Sequence, residues 1–294
     1  MPELPDVTVY TEALQKRVVG QSLRRLRIIS AFVLRSVAPS VGEFEGRLVR
    51  AVRHLGKRIA IELEGEFFIV LHLMIAGRLR WLAPGAKLPG KLALAALDFD
   101  HGVLVFTEAG TRKRASLHLV QGRAALAAFD MRGLDLMLCS TQEFGARLQA
   151  ESHTLKRALT DPRAFSGIGN AYSDEILHRA KLSPFALSRE LSQEEIERLF
   201  GATRAILQEW IERLRAQAGG EFPEHVTAFR AEMAVHAKYG QPCPVCGAPV
   251  QRIVYAENET NYCARCQTGG KIFADRSLSR LLKKSWPKSI DELG

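Results

Sequence analysis

The sequence predicts a multidomain α+β protein: an N-terminal antiparallel β-sandwich with an initial helix, then a helical domain, then a small four-cysteine hairpin. Three observations predict it. Short runs of β-branched and aromatic residues, separated by glycine turns, fill the first part of the chain. Long stretches of helical periodicity follow, and two Cys-x-x-Cys pairs stand near the end.

Taken in order, the first helix is expected from Val7 to Val19, where Val7, Tyr10, Leu14 and Val18 recur at helical spacing and Gly20 supplies a stop. Strands are expected at 23–30, 47–52, 57–63, 66–73, 78–82, 92–99 and 102–107, with turns at Gly46, Gly56, Glu64-Gly65 and His101-Gly102. That spacing suits a sandwich or barrel. After about Gly133 the strand signal stops, and helices are expected at 152–159, 170–181 and 192–218. From about Val235 the chain changes again, to the cysteine hairpin. The expected domains are therefore 1–133, 134–234 and 235–270, followed by a basic extension at 271–294.

With 294 residues, 47% hydrophobic and 25% charged, the composition is that of an ordinary globular protein with room for two or more cores. Lys and Arg outnumber Asp and Glu by 41 to 32, so a polyanionic partner is expected, and nucleic acid leads over an anionic membrane. A membrane partner is not expected. The longest apolar run, Phe67 to Gly77, is interrupted by His72 and is too short to span a bilayer. Glu3, Pro5 and Asp6 contradict a signal peptide, so the expected location is cytoplasmic, of bacterial type, on the nucleoid when the protein acts.

Three local patterns carry chemistry. Cys243-Pro-Val-Cys246 and Cys263-Ala-Arg-Cys266 flank a strand-like Val250 to Tyr255 and a polar turn at Glu257 to Thr260. Two such thiolate pairs close a tetrahedral site with no open position, the pattern of one structural Zn2+ per chain; two disulfides or an iron centre are the alternatives. Cys139 stands alone and reads as a buried small hydrophobe. Next, Ser166-Gly167-Ile168-Gly169-Asn170 leads into a helix: either a backbone phosphate sits there, or this is a tight turn with Asn170 as the cap. Finally, Met1-Pro2-Glu3-Leu4-Pro5-Asp6-Val7 either begins a helix or, once Met1 is trimmed, presents a reactive group. A secondary amine at Pro2 can attack an aldehyde carbon and form an iminium, with the Glu3 carboxylate beside it.

Taken together, Met1-Pro2-Glu3-Leu4-Pro5, His54-Leu55-Gly56-Lys57, His72-Leu73 with Gly77-Arg78-Leu79-Arg80, Gly167-Ile168-Gly169-Asn170 and the four-cysteine hairpin resemble the formamidopyrimidine-DNA glycosylase and endonuclease VIII family. The motifs occur in the family's order and span residues 2 to about 267. The resemblance implies a helix-two-turn-helix motif in the helical domain, and double-stranded DNA containing a damaged base or abasic site as partner; a monomer is the natural expectation for an enzyme that scans DNA. It implies a bifunctional DNA glycosylase and abasic-site (AP) lyase of base excision repair. In that reading Pro2 attacks C1′ of the damaged nucleotide, expels the base and forms an iminium, and β,δ-elimination then cuts the strand. Glu3 is the general acid and base, and Lys57, on a strand after the Gly56 turn, is the cation near sugar and phosphate. Lys156 and Asn170 hold phosphates beside the lesion, and Met74 or Ile75 fills the gap left by the flipped base. Asp6 stands where the family usually has Glu, either near the sugar or as a helix cap.

The chain departs from the family pattern at three places. Where formamidopyrimidine-type members carry an Asp-Pro-Arg-Arg-Phe-Gly loop, it reads Glu108-Ala-Gly-Thr-Arg112-Lys113-Arg114, with no aromatic wedge; Arg112 or Arg114 can face the orphaned base or simply phosphates. The segment Gly219 to Phe229 is shorter than the lesion-capping loop of 8-oxoguanine-specific members. Oxidised pyrimidines or hydantoin-like lesions are therefore expected over 8-oxoguanine. At the hairpin tip Asn258 occupies the usual Arg position, and the flanking acids Glu257 and Glu259 would repel DNA. Beyond Cys266, Arg276, Arg280, Lys283, Lys284 and Lys288 with interleaved Leu278, Leu281, Leu282 and Trp286 read as a short amphipathic helix or as extra DNA contact. Two competing readings are a noncatalytic damaged-DNA binder that keeps the fold and a zinc-ribbon RNA or transcription partner.

Overall fold

The computed structural model describes residues 1–110, 112–224, 226, 230–255, 258–274 and 287–293. They fall into two compact units, Met1–Met131 with Glu209–Ala228 and Arg132–Gln208 with Phe229–Gly294.

In the first unit, α1 (Leu4–Val18) begins three residues before the expected Val7. Pro5 needs no helical N–H partner in the first turn, and the Asp6 carboxylate accepts the Glu3 N–H at 2.9 Å. Eight strands follow: β1 (Arg25–Ile28), β2 (Val49–Leu55), β3 (Arg58–Leu63), β4 (Phe67–His72), β5 (Gly77–Leu82), β6 (Ala93–Phe99), β7 (Gly102–Glu108) and β8 (Ser116–Gln121). They form two antiparallel sheets, β1-β6-β7-β5 and β2-β3-β4-β8. β8 is not among the expected strands, although Leu117 and Leu119 alternate with His118 as a half-buried strand should. The inner faces bury Leu23, Ile59, Ile61, Ile69, Leu97 and Phe106 in one core. The outer face of the second sheet is apolar at Ala60, Phe68, Val70 and Val120, and the short helix α2 (Arg123–Ala127) covers it with Leu126.

Phe222 and Val226 join this sandwich core, although sequence periodicity groups them with the helical domain. Phe222 lies 5.7 Å from the Tyr10 ring and 6.4 Å from Trp81, and Arg215 pairs with Glu12 at 2.6 Å. A contact between residues 203 positions apart leaves no periodic trace in sequence.

The second unit contains α3 (Thr141–Gln149), α4 (Leu155–Thr160), α5 (Asn170–Ala180) and the start of α6 (Gln193–Ala218). α3 is an unexpected helix whose signal is present at Ser140-x-x-Glu143: the Ser140 hydroxyl accepts the Glu143 N–H at 3.2 Å, and the Glu143 carboxylate accepts the Ser140 N–H at 2.8 Å. α4, the turns at 162–164 and 166–167, and α5 make the expected helix-two-turn-helix. The hairpin pairs β9 (Gln251–Tyr255) with β10 (Asn258–Tyr262), and α7 (Ala264–Gln267) carries its last cysteine. Asn258 to Thr260 are thus strand residues, not turn, because Asn258 pairs with Tyr255. The hairpin has more core than expected: Val235, Val250 and Tyr262 pack with Ile272 and Ile290 from the tail. Lys271 bridges Ser289 in the same region. The stretch Arg276 to Trp286, read as an amphipathic helix, lies outside the described residues, as does Glu257. Among the described residues no helix is long and apolar enough to cross a membrane.

Candidate active site and nucleic-acid interface

In the first unit, α1 is fastened to both sheets. The Tyr10 hydroxyl lies 3.3 Å from the Leu79 N–H and 3.5 Å from its carbonyl on β5, and Gln15 donates to the Val52 carbonyl on β2 at 2.8 Å. The helix that follows Pro2 and Glu3 is therefore fixed against both sheets. Pro2, Glu3 and Asp6 are buried, Glu3 at 2% exposure and Asp6 at 1%. Burial pushes the Met1 amine below its ordinary value; Glu3 and Asp6 oppose that, while Arg78 and Lys57 reinforce it. The amine thus feels two carboxylates and two cations from three separate elements. Asp6 acts at the third helical position of α1 by accepting the Glu3 N–H, which is the capping role in a position one turn inside the helix.

Lys57 lies in the two-residue turn between Leu55 and Arg58 and not on the strand, because Gly56, at φ +59°, makes the hairpin bend there. Met74 and Ile75 occupy the turn from β4 to β5. Ile75 is 55% exposed, so it is no core residue, while Met74 is half-buried at φ +52°. The turn is tight because Gly77 donates to the Leu73 carbonyl at 2.8 Å, and a Cβ on Gly77 would stand 2.2 Å from that oxygen. Arg78 ties it from outside, donating to the Ile75 carbonyl at 3.1 Å.

Gly77 pairs with Glu108 across β5 and β7, which brings the loop with Arg112 and Arg114 next to this turn. Both arginines are exposed. The loop is organised by Glu108, whose 1%-exposed carboxylate accepts the Arg114 N–H at 3.0 Å and the Ala115 N–H at 3.3 Å. Lys113 donates to the Glu108 carbonyl. Sequence reasoning gave Glu108 and Arg78 no role. A lone acid at a strand end carries little signal until the backbone it accepts is known.

In the second unit the structure brings Lys156 and Asn170 together. The Lys156 ammonium donates to the Asn170 carbonyl and to Asp174 Oδ1, both at 2.6 Å. Gly169, not Asn170, is the N-cap of α5, and Asn170 is half-buried as its first residue. Gly167 adopts φ +86°, a conformation that suits glycine in the preceding turn.

The Sγ atoms of Cys243, Cys246, Cys263 and Cys266 lie within 4.8 Å of one another. Four thiolates around a tetrahedral zinc stand about 3.8 Å apart, so this cluster fits a closed site. His178 of α5 places Nε2 3.3 Å from Cys243 Sγ, an outer partner for one ligand. At the tip, Asn258 is exposed, and Glu259 accepts from Asn261 at 3.1 Å and pairs with Arg252 at 3.7 Å. That acid is partly neutralised within the hairpin, which lessens the repulsion expected of it.

A β-sandwich, a helix-two-turn-helix and a four-thiol hairpin, in that order, define the architecture of zinc-finger DNA-repair glycosylases. Three family models match in that order: the formamidopyrimidine-DNA glycosylase N-terminal domain over residues 1–134, the formamidopyrimidine-DNA glycosylase H2TH domain over 137–219, and the zinc finger found in FPG and IleRS over 240–269. The formamidopyrimidine-DNA glycosylase of Thermus thermophilus is 34% identical over 281 residues, 92% of this chain and 100% of that protein. The chain belongs to the formamidopyrimidine-DNA glycosylase family, whose members are DNA-repair enzymes. The crystal structure of the MutM (Fpg) protein from Thermus thermophilus superposes with a TM-score of 0.76 at 33% identity, covering 90% of this chain and 98% of that one. Fpg of Lactococcus lactis, solved with DNA containing an oxidised pyrimidine, gives 0.80 at 26% identity, covering 91% and 100%.

Proposed function

We propose that this chain is a bifunctional DNA glycosylase and AP lyase that removes oxidised bases through an iminium on Pro2. The observation that carries this reading is the buried Pro2 beside the buried Glu3 at the head of α1, next to a Met1 amine that burial lowers and on which Glu3, Arg78, Asp6 and Lys57 act. After loss of Met1, the neutral Pro2 nitrogen gives its lone pair to C1′, and the C1′–N bond breaks with its electrons going to the base. Glu3 moves protons at the sugar while the ring opens to the iminium. Abstraction of a C2′ proton then expels the 3′ phosphate, and a second elimination expels the 5′ phosphate. Lys57 and Arg78 supply positive charge beside these departing groups. Ile75, apolar and exposed on a braced turn, suits the gap that a flipped nucleotide leaves. Lys156 and Asn170 supply phosphate contacts, and Zn2+ held by the four cysteines would keep the hairpin rigid.

A preference for oxidised pyrimidines or hydantoin-like lesions over 8-oxoguanine is supported by the start of the short 219–229 segment. Phe222 and Val226 are spent on the sandwich core and so are not available to close over a purine lesion. We place the activity in a monomer acting on chromosomal DNA in the cytoplasm.

The test is borohydride trapping on an abasic-site duplex. The protein with Met1 removed should form a covalent adduct, and Pro2→Gly should reduce it at least about a hundredfold. Duplex binding without any adduct would instead favour the noncatalytic binder, and neither binding nor adduct would remove both readings.

A further inference from the structure

One face of α5 carries Asn170, Asp174 and His178 at i, i+4 and i+8, and two of these positions share Lys156. At the N-terminal end the Asn170 carbonyl takes one Lys156 N–H, and at the far end His178 reaches Cys243. Asp174, between them, is 1% exposed and uses both oxygens. Oδ1 holds the Lys156 ammonium at 2.6 Å, while Oδ2 meets His236 Nδ1 at 2.8 Å and the Asn261 amide of β10 at 3.2 Å. The neighbouring Glu175 carboxylate accepts the backbone N–H groups of Ala234, Val235 and His236 at 2.7, 2.9 and 2.9 Å, so the segment presenting His236 is itself fixed.

We infer that Asp174 is a positioning residue that aims the Lys156 ammonium at a DNA phosphate and fastens that grip to the cysteine hairpin through His236 and Asn261. The inference rests on the reading of Lys156 as a phosphate ligand. Two of the three ammonium N–H donors are spent on Asn170 and Asp174, which fixes the direction of the third. A buried carboxylate is a suitable anchor because its remaining oxygen is occupied from the hairpin side. The hairpin and the phosphate grip then share one hydrogen-bonded joint, and loosening either end reaches the other.

The test is a set of double-mutant cycles read by equilibrium binding to a duplex containing a stable abasic-site analogue, over a salt series. Lys156→Met should weaken binding and reduce the slope of log affinity against log salt by about 1, as loss of one phosphate contact does. Asp174→Asn keeps the lysine charge but frees its direction, and should weaken binding about tenfold, a size that coupled neighbours reach. His236→Ala should act in the same sense, and His236→Asn, which keeps a donor near the Nδ1 position, should restore most of the loss. In the Lys156→Met background the losses caused by Asp174→Asn and His236→Ala should vanish. Zinc content and circular dichroism on each variant separate misfolding from misplacement, and His236→Ala with Asn261→Ala carries the test if Asp174→Asn does not fold. Equal losses with and without Lys156 would overturn the inference, leaving a structural joint only. If Lys156→Met itself binds with unchanged affinity and slope, the phosphate reading fails first, and the inference falls with it.

Discussion

At the scale of single residues, the N-terminal amine sets a working pH. Adduct formation needs the unprotonated nitrogen, so its rate should rise with pH and level off at the amine's pKa. The pKa of the Met1 amine next to Pro2 is lowered by burial, with Glu3 and Asp6 opposing and Arg78 and Lys57 adding to it; the Pro2 amine left after Met1 removal is expected to share that environment and reach its plateau below the ordinary α-amino value of about 8. Arg78→Gln removes one of the lowering charges and should move the plateau to higher pH in single-turnover trapping; an unmoved plateau would show that Arg78 does not act on the amine. His72 gives a second pH signature. Burial, with Arg58, Lys57 and His118 behind it, lowers its pKa to about 4 from an ordinary 6.5. Between those values the unfolded chain takes up a proton that the folded chain refuses, so this stability is fully present above pH 6.5 and is lost as pH falls toward 4. His72→Gln should flatten that part of a stability-versus-pH curve measured by denaturant unfolding. The four cysteines were legible because their spacing alone brings them together, whereas Pro2 and Glu3 read as a helix start until the family resemblance gives them a role. Glu108 and Asp174 were not legible, since an acid read in sequence looks like a solvated or helix-dipole carboxylate until its buried donors are known.

At the scale of elements, what the sequence exposed depended on how each element is held. α5 and α6 show long periodic faces and were found nearly whole. β8 and α3 were missed although each had a signal, alternation in one and a capping box in the other. Lys57 moved from strand to turn by one position, because Gly56 bends the chain at the hairpin and Leu55 pairs with Arg58. The 219–226 stretch gave no hint of its place, because it lies past the end of α6 and its Phe222 and Val226 join a core built by a distant part of the chain. Phe222 packs tilted against Tyr10 and Trp81 and lies under the Arg17 guanidinium at 5.5 Å. Phe222→Ala should therefore destabilise the first unit by about 3 kcal/mol, the usual cost of emptying a buried aromatic site, measurable by denaturant unfolding of that unit. A loss under about 1 kcal/mol would mean that the core closes without it.

At the scale of the whole molecule, a net charge of +9 matches a DNA partner, and the order sandwich, helical motif, hairpin was readable from periodicity and cysteine spacing. The hairpin core draws on Ile272 and Ile290 beyond its last cysteine but is still small, so metal should supply much of its stability. Chelation should raise amide hydrogen exchange across β9 and β10 and weaken duplex binding, while the sandwich strands keep their protection. Unchanged exchange in the hairpin after the metal is gone would refute that dependence. What periodicity could not show is that the sandwich is discontinuous. Its core takes in Phe222 and Val226, long after its last strand has been made. On a ribosome at about 5–20 residues per second, the sandwich therefore waits on the order of 10 s between completing its strands and receiving its final core residues. During that interval Tyr10 and Trp81 lack the Phe222 ring they meet in the finished core, so the sandwich closes only after about three-quarters of the chain has been made.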